Sequence, residues 1–222
     1  MEKIEKQKQI IEGTEKIESG WKIDITFDSN IYQKIEIGSL VETSMYGTSN
    51  KAEYQKSGYP VLRIGNIGFC KFDLSDIKNV VLESKEFKKL KLNKGDFLIV
   101  RSNGNPDLVG KCAVWDKDDT YVYASYLIRF IFDTNKIIPR FAMYYFMSPM
   151  GRVQLEPKQG GGTYNINSEE FKKFPIPLPP LETQRQIVEK LDRQMQALEG
   201  VRLLKSEAGK RIEEILVGVW GE

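Results

Sequence analysis

From Ile187 onward, apolar residues recur in alternating steps of four and three: Ile187, Leu191, Gln194, Leu198, Val201, Lys205, Ala208, Ile212, Ile215 and Val219. This is an a/d heptad register, apolar at eight of its ten positions. It predicts one helix over residues 181–219, roughly 60 Å long at about 1.5 Å per residue. A seam of that length exceeds the width of a small domain and requires a partner helix. The eight apolar positions are the expected pairing residues, and Gln194 and Lys205 are polar seam positions able to set register. A second, shorter helix is predicted over residues 1–20, where Ile4, Ile10, Ile11 and Ile17 form a thin stripe ended by Ser19-Gly20. It is a possible partner within the chain but too short for the whole seam, so a second copy of the chain is the expected partner.

Between the helices the pattern changes. Strand-like runs occupy residues 59–64, 96–100, 111–115 and 121–132, separated by turn signals such as Gly65-Asn66 and Asn93-Lys94-Gly95. Helical patterns intervene near 83–90 and 139–151, the second opening on Pro139. Strands mixed with short helices, without regular alternation, predict an α+β fold: a mixed-sheet globular domain followed by a long C-terminal coiled-coil helix. The run Phe174-Pro175-Ile176-Pro177-Leu178-Pro179-Pro180 cannot be helical, because its four prolines lack the N–H donor; it reads as an extended strap. The expected organisation is a helix over 1–20, a globular domain over 21–174, and strap plus pairing helix over 175–222.

Composition narrows the chemistry. The 222 residues contain no histidine, which excludes His-based triads, His-ligated metals and His acid/base catalysis. Cys70 and Cys112 stand far apart, with no metal-binding or redox spacing. No metal or cofactor is expected in this chain. Its N-terminus alternates Lys and Glu without an apolar core, unlike a signal peptide, and no apolar window suits a membrane span, so a cytoplasmic protein is expected. The formal net charge is +2. Residues 1–20 carry 4 basic and 5 acidic groups, residues 181–222 carry 7 and 8, and residues 21–180 carry 22 and 18. The positive surplus, +4, therefore lies wholly in the central part.

Three polar segments are candidates for ligand contact. Gly160-Gly161-Gly162-Thr163-Tyr164-Asn165-Ile166-Asn167, preceded by Lys158, combines backbone that can approach a phosphate with a stacking tyrosine and amides able to read adenine edges. The plainer reading is a loop leading into a helix at Ser168-Glu169-Glu170. Arg101-Ser102-Asn103-Gly104-Asn105-Pro106-Asp107 follows a strand, with a turn as its plainer reading. Asp107 and Leu108 replace the second proline and the aromatic of the Asn-Pro-Pro-Tyr motif used for amino-group methyl transfer to DNA, so catalysis by this segment is rejected. Ser44-Met45-Tyr46-Gly47-Thr48-Ser49-Asn50-Lys51 is a small polar loop with one ring and one cation. Trp21 and Trp115 read as core.

Taken in order, Gly20-Trp21, YGTSNKA (46–52), GYPVLRIGNI (58–67), KGDFLIVRSNG (94–104), LVGKCAVW (108–115) and GGTYNINSEEFKKFPIPLPPLETQRQIVEKLD (161–192) resemble the DNA specificity subunit of type I restriction–modification systems. The likeness covers nearly the whole chain and is strongest in the strap followed by Glu182, Gln184 and Gln186-Ile187. It implies a non-catalytic target recognition domain that binds double-stranded DNA and directs partner methyltransferase and restriction/translocase subunits to a split target. S-adenosylmethionine is then expected only in the methyltransferase subunit, acting on adenine N6. One recognition domain and one long helix make the chain a half-length form, either a natural half-subunit, dimerising through its C-terminal helix, or a fragment. On this resemblance Lys51, Arg101 and Lys158 are expected on phosphates. Asn103, Tyr164, Asn165 and Asn167 are expected on base edges. Tyr46, Thr48, Ser49, Ser102, Gly161, Gly162 and Thr163 are expected to line the contact. The alternative is a scaffold protein that oligomerises through its helix without touching DNA; salt-dependent duplex binding separates the two.

Overall fold

The computed structural model describes residues 2–20, 23, 31–55, 57–155, 158–160 and 163–220. In chain order the elements are α1 (Glu2–Gly20), β1 (Lys34–Glu36), β2 (Val41–Tyr46), β3 (Tyr59–Leu62), β4 (Lys78–Val80), α2 (Ser84–Leu90), β5 (Phe97–Val100) and β6 (Ser102–Asn103). They continue with β7 (Cys112–Val114), β8 (Val122–Tyr123), β9 (Leu127–Phe132), α3 (Pro139–Met147), α4 (Pro149–Arg152) and β10 (Lys158–Gly160). The last are β11 (Thr163–Asn165), α5 (Ser168–Lys172), β12 (Pro175–Pro177) and α6 (Leu181–Trp220). The chain divides into a helical unit of residues 1–23 and 189–222 and a globular unit of residues 24–188. Helix α6 begins in the globular unit, and the strap lies within that unit.

At the centre of the globular unit is an antiparallel sheet in the order β2-β9-β5-β7. Every residue of β5 is buried, as expected for an apolar run covered on both faces. On one side Leu98, Val100 and Ala113 join Trp115, Tyr123 and the apolar residues of β3 and β8. On the other, Phe97 and Phe130 pack with Phe171 and Phe146, their rings 4.7–6.4 Å apart. Sheet β4-β3-β8 pairs β3 antiparallel with β4 and parallel with β8, giving the mixed α+β architecture. The predicted stretch 121–132 is broken into β8 and β9, and the helix expected over 139–151 is interrupted at Ser148-Pro149. Proline there removes a donor and holds Ser148 extended.

The strap is a strand. Its Ile176 pairs with Ile35 of β1, and the two-stranded sheet leaves the prolines without a required donor. After it, the Gln184 side chain is fully buried in the first turn of α6. Its Oε1 accepts from Ile138 N–H at 2.8 Å, and its Nε2 donates to the carbonyls of Lys136 at 3.0 Å and Pro179 at 2.8 Å. One amide thus ties the helix start to the strap and to the entry of α3.

Arg129 of β9 is buried beside Asp96, 3.3 Å away, and donates to the carbonyls of Lys91 and Lys89 at 2.8 Å each. Asp96 also accepts from Asn93 N–H at 2.9 Å. Burial pushes its carboxyl up from the ordinary value, opposed by the Asn93 N–H and by Arg129.

Within the helical unit, α1 runs antiparallel to α6. Ile17 shares a groove with Gln194, Ala197, Leu198 and Val201; Glu15 pairs with Lys205 at 3.1 Å; and Lys3, Lys6 and Gln7 face Arg211, Glu214 and Ile215. Seam residues Leu191, Leu198 and Ala208 are buried, while Ile187, Val201, Ile212 and Ile215 are half-buried; the Val219 side chain lies outside the described residues. The chain's own N-terminal helix, the in-chain partner that the sequence allows for part of the seam, therefore lies along this stretch.

Two outcomes follow for stability. Arg129→Met leaves the Asp96 carboxylate buried without its partner and is expected to cost about 3–5 kcal/mol in denaturant unfolding, with Asp96→Leu added to it recovering part of the loss. Gln184→Ala orphans the Ile138 N–H and two carbonyls and is expected to cost about 2–3 kcal/mol by the same measurement.

Candidate functional site

Two of the three polar segments meet in one small sheet of order β10-β11-β6. Tyr164 is the register partner of Asn103, and Asn165 that of Ser102. Lys158 is the register partner of Asn165 on the other side; the Lys158 side chain and residues Gly161 and Gly162 lie outside the described residues. The segments are far apart in sequence and are held by main-chain bonds. Ile166 N–H donates to Arg101 O at 2.8 Å, and Arg101 N–H donates to Tyr126 O at 2.9 Å.

Alternation along the strands sorts the candidates. Ser102 and its partner Asn165 share one face and Asn103 and Tyr164 the other; Ser102 is buried, Asn103, Tyr164 and Asn165 are half-buried, and Thr163 is exposed. Asn165 Nδ2 donates to Thr163 Oγ1 at 3.1 Å. Asn103 Oδ1 accepts from Asn105 N–H at 2.8 Å, which fixes the turn after the strand.

Tyr46, at the end of β2, joins the same region. The Arg101 guanidinium stands 5.0 Å from its ring centroid, a cation–π contact, and the Tyr46 hydroxyl accepts from Ser168 N–H at 3.1 Å. The Arg101 Nε is buried with no hydrogen-bond partner among the described residues. The next residue is necessarily glycine: a Cβ on Gly47 would run into the carbonyl oxygens of Tyr123 and Ala124.

Other candidates have structural roles. Thr48 is buried and donates to Glu86 Oε1 at 2.7 Å. Asn167 caps α5: its Oδ1 accepts from Glu170 N–H at 2.8 Å, and Glu170 accepts in return from Asn167 N–H at 3.0 Å. The plainer reading, a helix start at Ser168, therefore describes the end of this segment. Trp115 is fully buried, as a core residue should be, and Trp21 lies outside the described residues.

Ser49 and Lys51 line a cleft of about 500 Å³ together with Arg63, Gly65, Ser125 and Tyr126. Lys51 pairs with Glu53 at 2.6 Å, fully in solvent. Arg63 belongs to the GYPVLRIGNI block, whose pattern gives it no role, and Tyr126 lies inside the strand-like run 121–132. The signal for Tyr126 was its exposure, which residue type alone does not reveal. Asp76 holds Arg63 through Oδ2 at 2.9 Å and through its carbonyl at 3.1 Å, while its Oδ1 accepts from the Tyr54 hydroxyl at 2.7 Å. These two donors hold the Asp76 carboxyl below its ordinary value. Among the described residues there is no group of three potential metal ligands, and no helix is long and apolar enough to cross a membrane.

The family model described as type I restriction modification DNA specificity domain matches residues 31–206. The chain is 28% identical over 167 residues to the type I restriction enzyme EcoKI specificity subunit of Escherichia coli strain K12, covering 73% of this chain and 36% of that one. It is 28% identical over 156 residues to the putative MjaX specificity subunit of Methanocaldococcus jannaschii, covering 68% and 36%. The chain thus spans about a third of the length of these relatives. The crystal structure of the HsdS subunit from Thermoanaerobacter tengcongensis superposes with a TM-score of 0.56 at 19% identity, over 96% of this chain and 51% of that one. A structure from a type I R-M system gives 0.60 at 17%, covering 96% and 51%. At such identity these two likenesses speak to fold. Tyr46→Ala removes both the ring beside Arg101 and the acceptor of the Ser168 N–H and is expected to cost about 1–3 kcal/mol in denaturant unfolding.

Proposed function

Because the chain belongs to the family of type I restriction modification DNA specificity domains, we propose that its globular unit reads a duplex DNA sequence for a multi-subunit restriction–modification complex. The single observation that carries this reading is the meeting of Arg101-Ser102-Asn103 and Thr163-Tyr164-Asn165 in one small sheet, beside the Tyr46 ring. Such a surface offers a cation for phosphate, and amides and a phenol for base edges. In this reading the chain performs no chemistry. Methyl transfer from S-adenosylmethionine and cleavage belong to companion methyltransferase and restriction/translocase subunits, which this chain directs to a split target.

Assembly through α6 is the second part of the proposal. With α1 on the seam, Leu203, Leu204, Leu216 and Val217 remain exposed on α6. Solvent-facing leucines at adjacent positions favour another helix, and a second copy of this chain is the proposed occupant. The alternative of a scaffold that ignores DNA is disfavoured by the polar sheet, which an oligomerising module does not require.

Arg101→Ala is expected to weaken duplex binding by the assembled complex and to make the salt dependence shallower by about one in log–log slope; unchanged affinity and slope would remove Arg101 from the contact. Leu203→Lys combined with Leu204→Lys is expected to give a monomer by light scattering, and a dimer surviving both changes would rule out pairing through this face.

A further inference from the structure

The cleft beside the reading sheet has a wall that suits an anion. Arg63, Lys51, Ser49, Ser125 and Tyr126 line it, and among the described residues no carboxylate does, although Lys51 pairs with Glu53 and Arg63 with Asp76. Arg63 is preset. Asp76 takes two bonds from its Nη2, at 2.9 and 3.1 Å, and Asp76 is itself fixed from two sides. The Tyr54 hydroxyl occupies its other oxygen at 2.7 Å, and the buried Asn66 Nδ2 donates to the carbonyls of Asp73 and Asp76 at 2.9 Å each. A guanidinium so held has already lost most of its rotamer freedom, so a ligand need not supply that ordering. Its Nε is buried with no hydrogen-bond partner among the described residues.

Resting on the DNA-reading function proposed above, we propose that this cleft grips one backbone phosphate of the duplex through Arg63, with Lys51 and the hydroxyls of Ser49 and Ser125 beside it. Donors dominate the wall, and a phosphate accepts only, whereas a base edge in the major groove mixes donors and acceptors. The Lys51–Glu53 pair does not compete seriously, because the lysine is fully in solvent, where such pairs contribute little. The cleft also has the right neighbour. The Tyr126 carbonyl in its wall accepts from Arg101 N–H at 2.9 Å, so a strand of DNA held here lies next to the sheet bearing Asn103 and Tyr164. Cleft and sheet then divide the work: the cleft sets position irrespective of sequence, and the sheet discriminates.

The test is selection of bound sequences from a randomised duplex pool on the full chain, followed by salt titration of the selected duplex. Arg63→Gln and Lys51→Gln are each expected to weaken binding on every duplex by a similar factor, on the order of tenfold for Arg63. Each should lower the salt slope by about one and leave the selected motif unchanged. Unchanged affinity and slope in a folded Arg63→Gln chain would overturn the assignment, as would a loss confined to one base position, which would make Arg63 a base reader. Should Arg63→Gln fail to fold, Lys51→Gln decides alone, since its side chain is exposed, and an unaltered slope there overturns the proposal. A wild-type chain that selects no sequence overturns the DNA-reading function itself, a result distinct from a motif retained at full affinity in both variants.

Discussion

An amide sealed from water must find all of its hydrogen bonds inside the protein. Gln184 does so by holding three pieces of main chain at once: Lys136 and Ile138 before α3, and Pro179 in the strap. Much of the globular unit follows from that clamp. The strap is brought alongside β1, where Ile176 is fully buried. The segment just upstream places Phe171 among Phe97, Phe130 and Phe146, and so closes the second face of the central sheet. A neutral group suits this task, because a charged one in the same place would incur a desolvation penalty that backbone partners could not offset.

The same packing creates the polar surface. With Phe171 fixed, the residues before it lie against β6, and α5 starts where Asn167 can cap it and where Ser168 meets Tyr46 and Ser44. The β10-β11-β6 sheet is thus the outer edge of a well-packed interior and not a free loop. Surface side chains placed this way can be exchanged without disturbing the core.

Formal charge overstates and understates this surface at different points. In the surplus of +4 over residues 21–180 the buried Arg129 and Asp96 cancel, so that pair leaves the total unchanged. Lys51, Lys94 and Lys136 each face a carboxylate within 3 Å. What remains local is Arg101, its guanidinium on the Tyr46 ring; Arg63, like the three lysines, faces a carboxylate, Asp76 at 2.9 Å. Placement, and not total charge, makes the surface suitable for a polyanion.

Features that depend on near neighbours along the chain are legible from residue order. A heptad pattern is a periodicity of one helix, so α6 could be read residue by residue, and four prolines forbid helix wherever they stand. The apolar runs that became β3, β5 and β7 were equally plain, because burial on both faces leaves a continuous signature. Which segments pair depends on contacts between distant residues and is visible only in the folded chain. Strands β6 and β11 have two and three residues, too short to carry a pattern, and meet because distant core residues bring them together. Thr48 and Asn167 look like binding residues in sequence, yet one is buried against Glu86 and the other caps a helix. Arg63 and Asp76 become a unit only through a fold that sets Asn66 between their backbones. The heptad seam required a partner without naming it, since complementary apolar stripes carry no address, and it was the chain's own α1 that filled part of it.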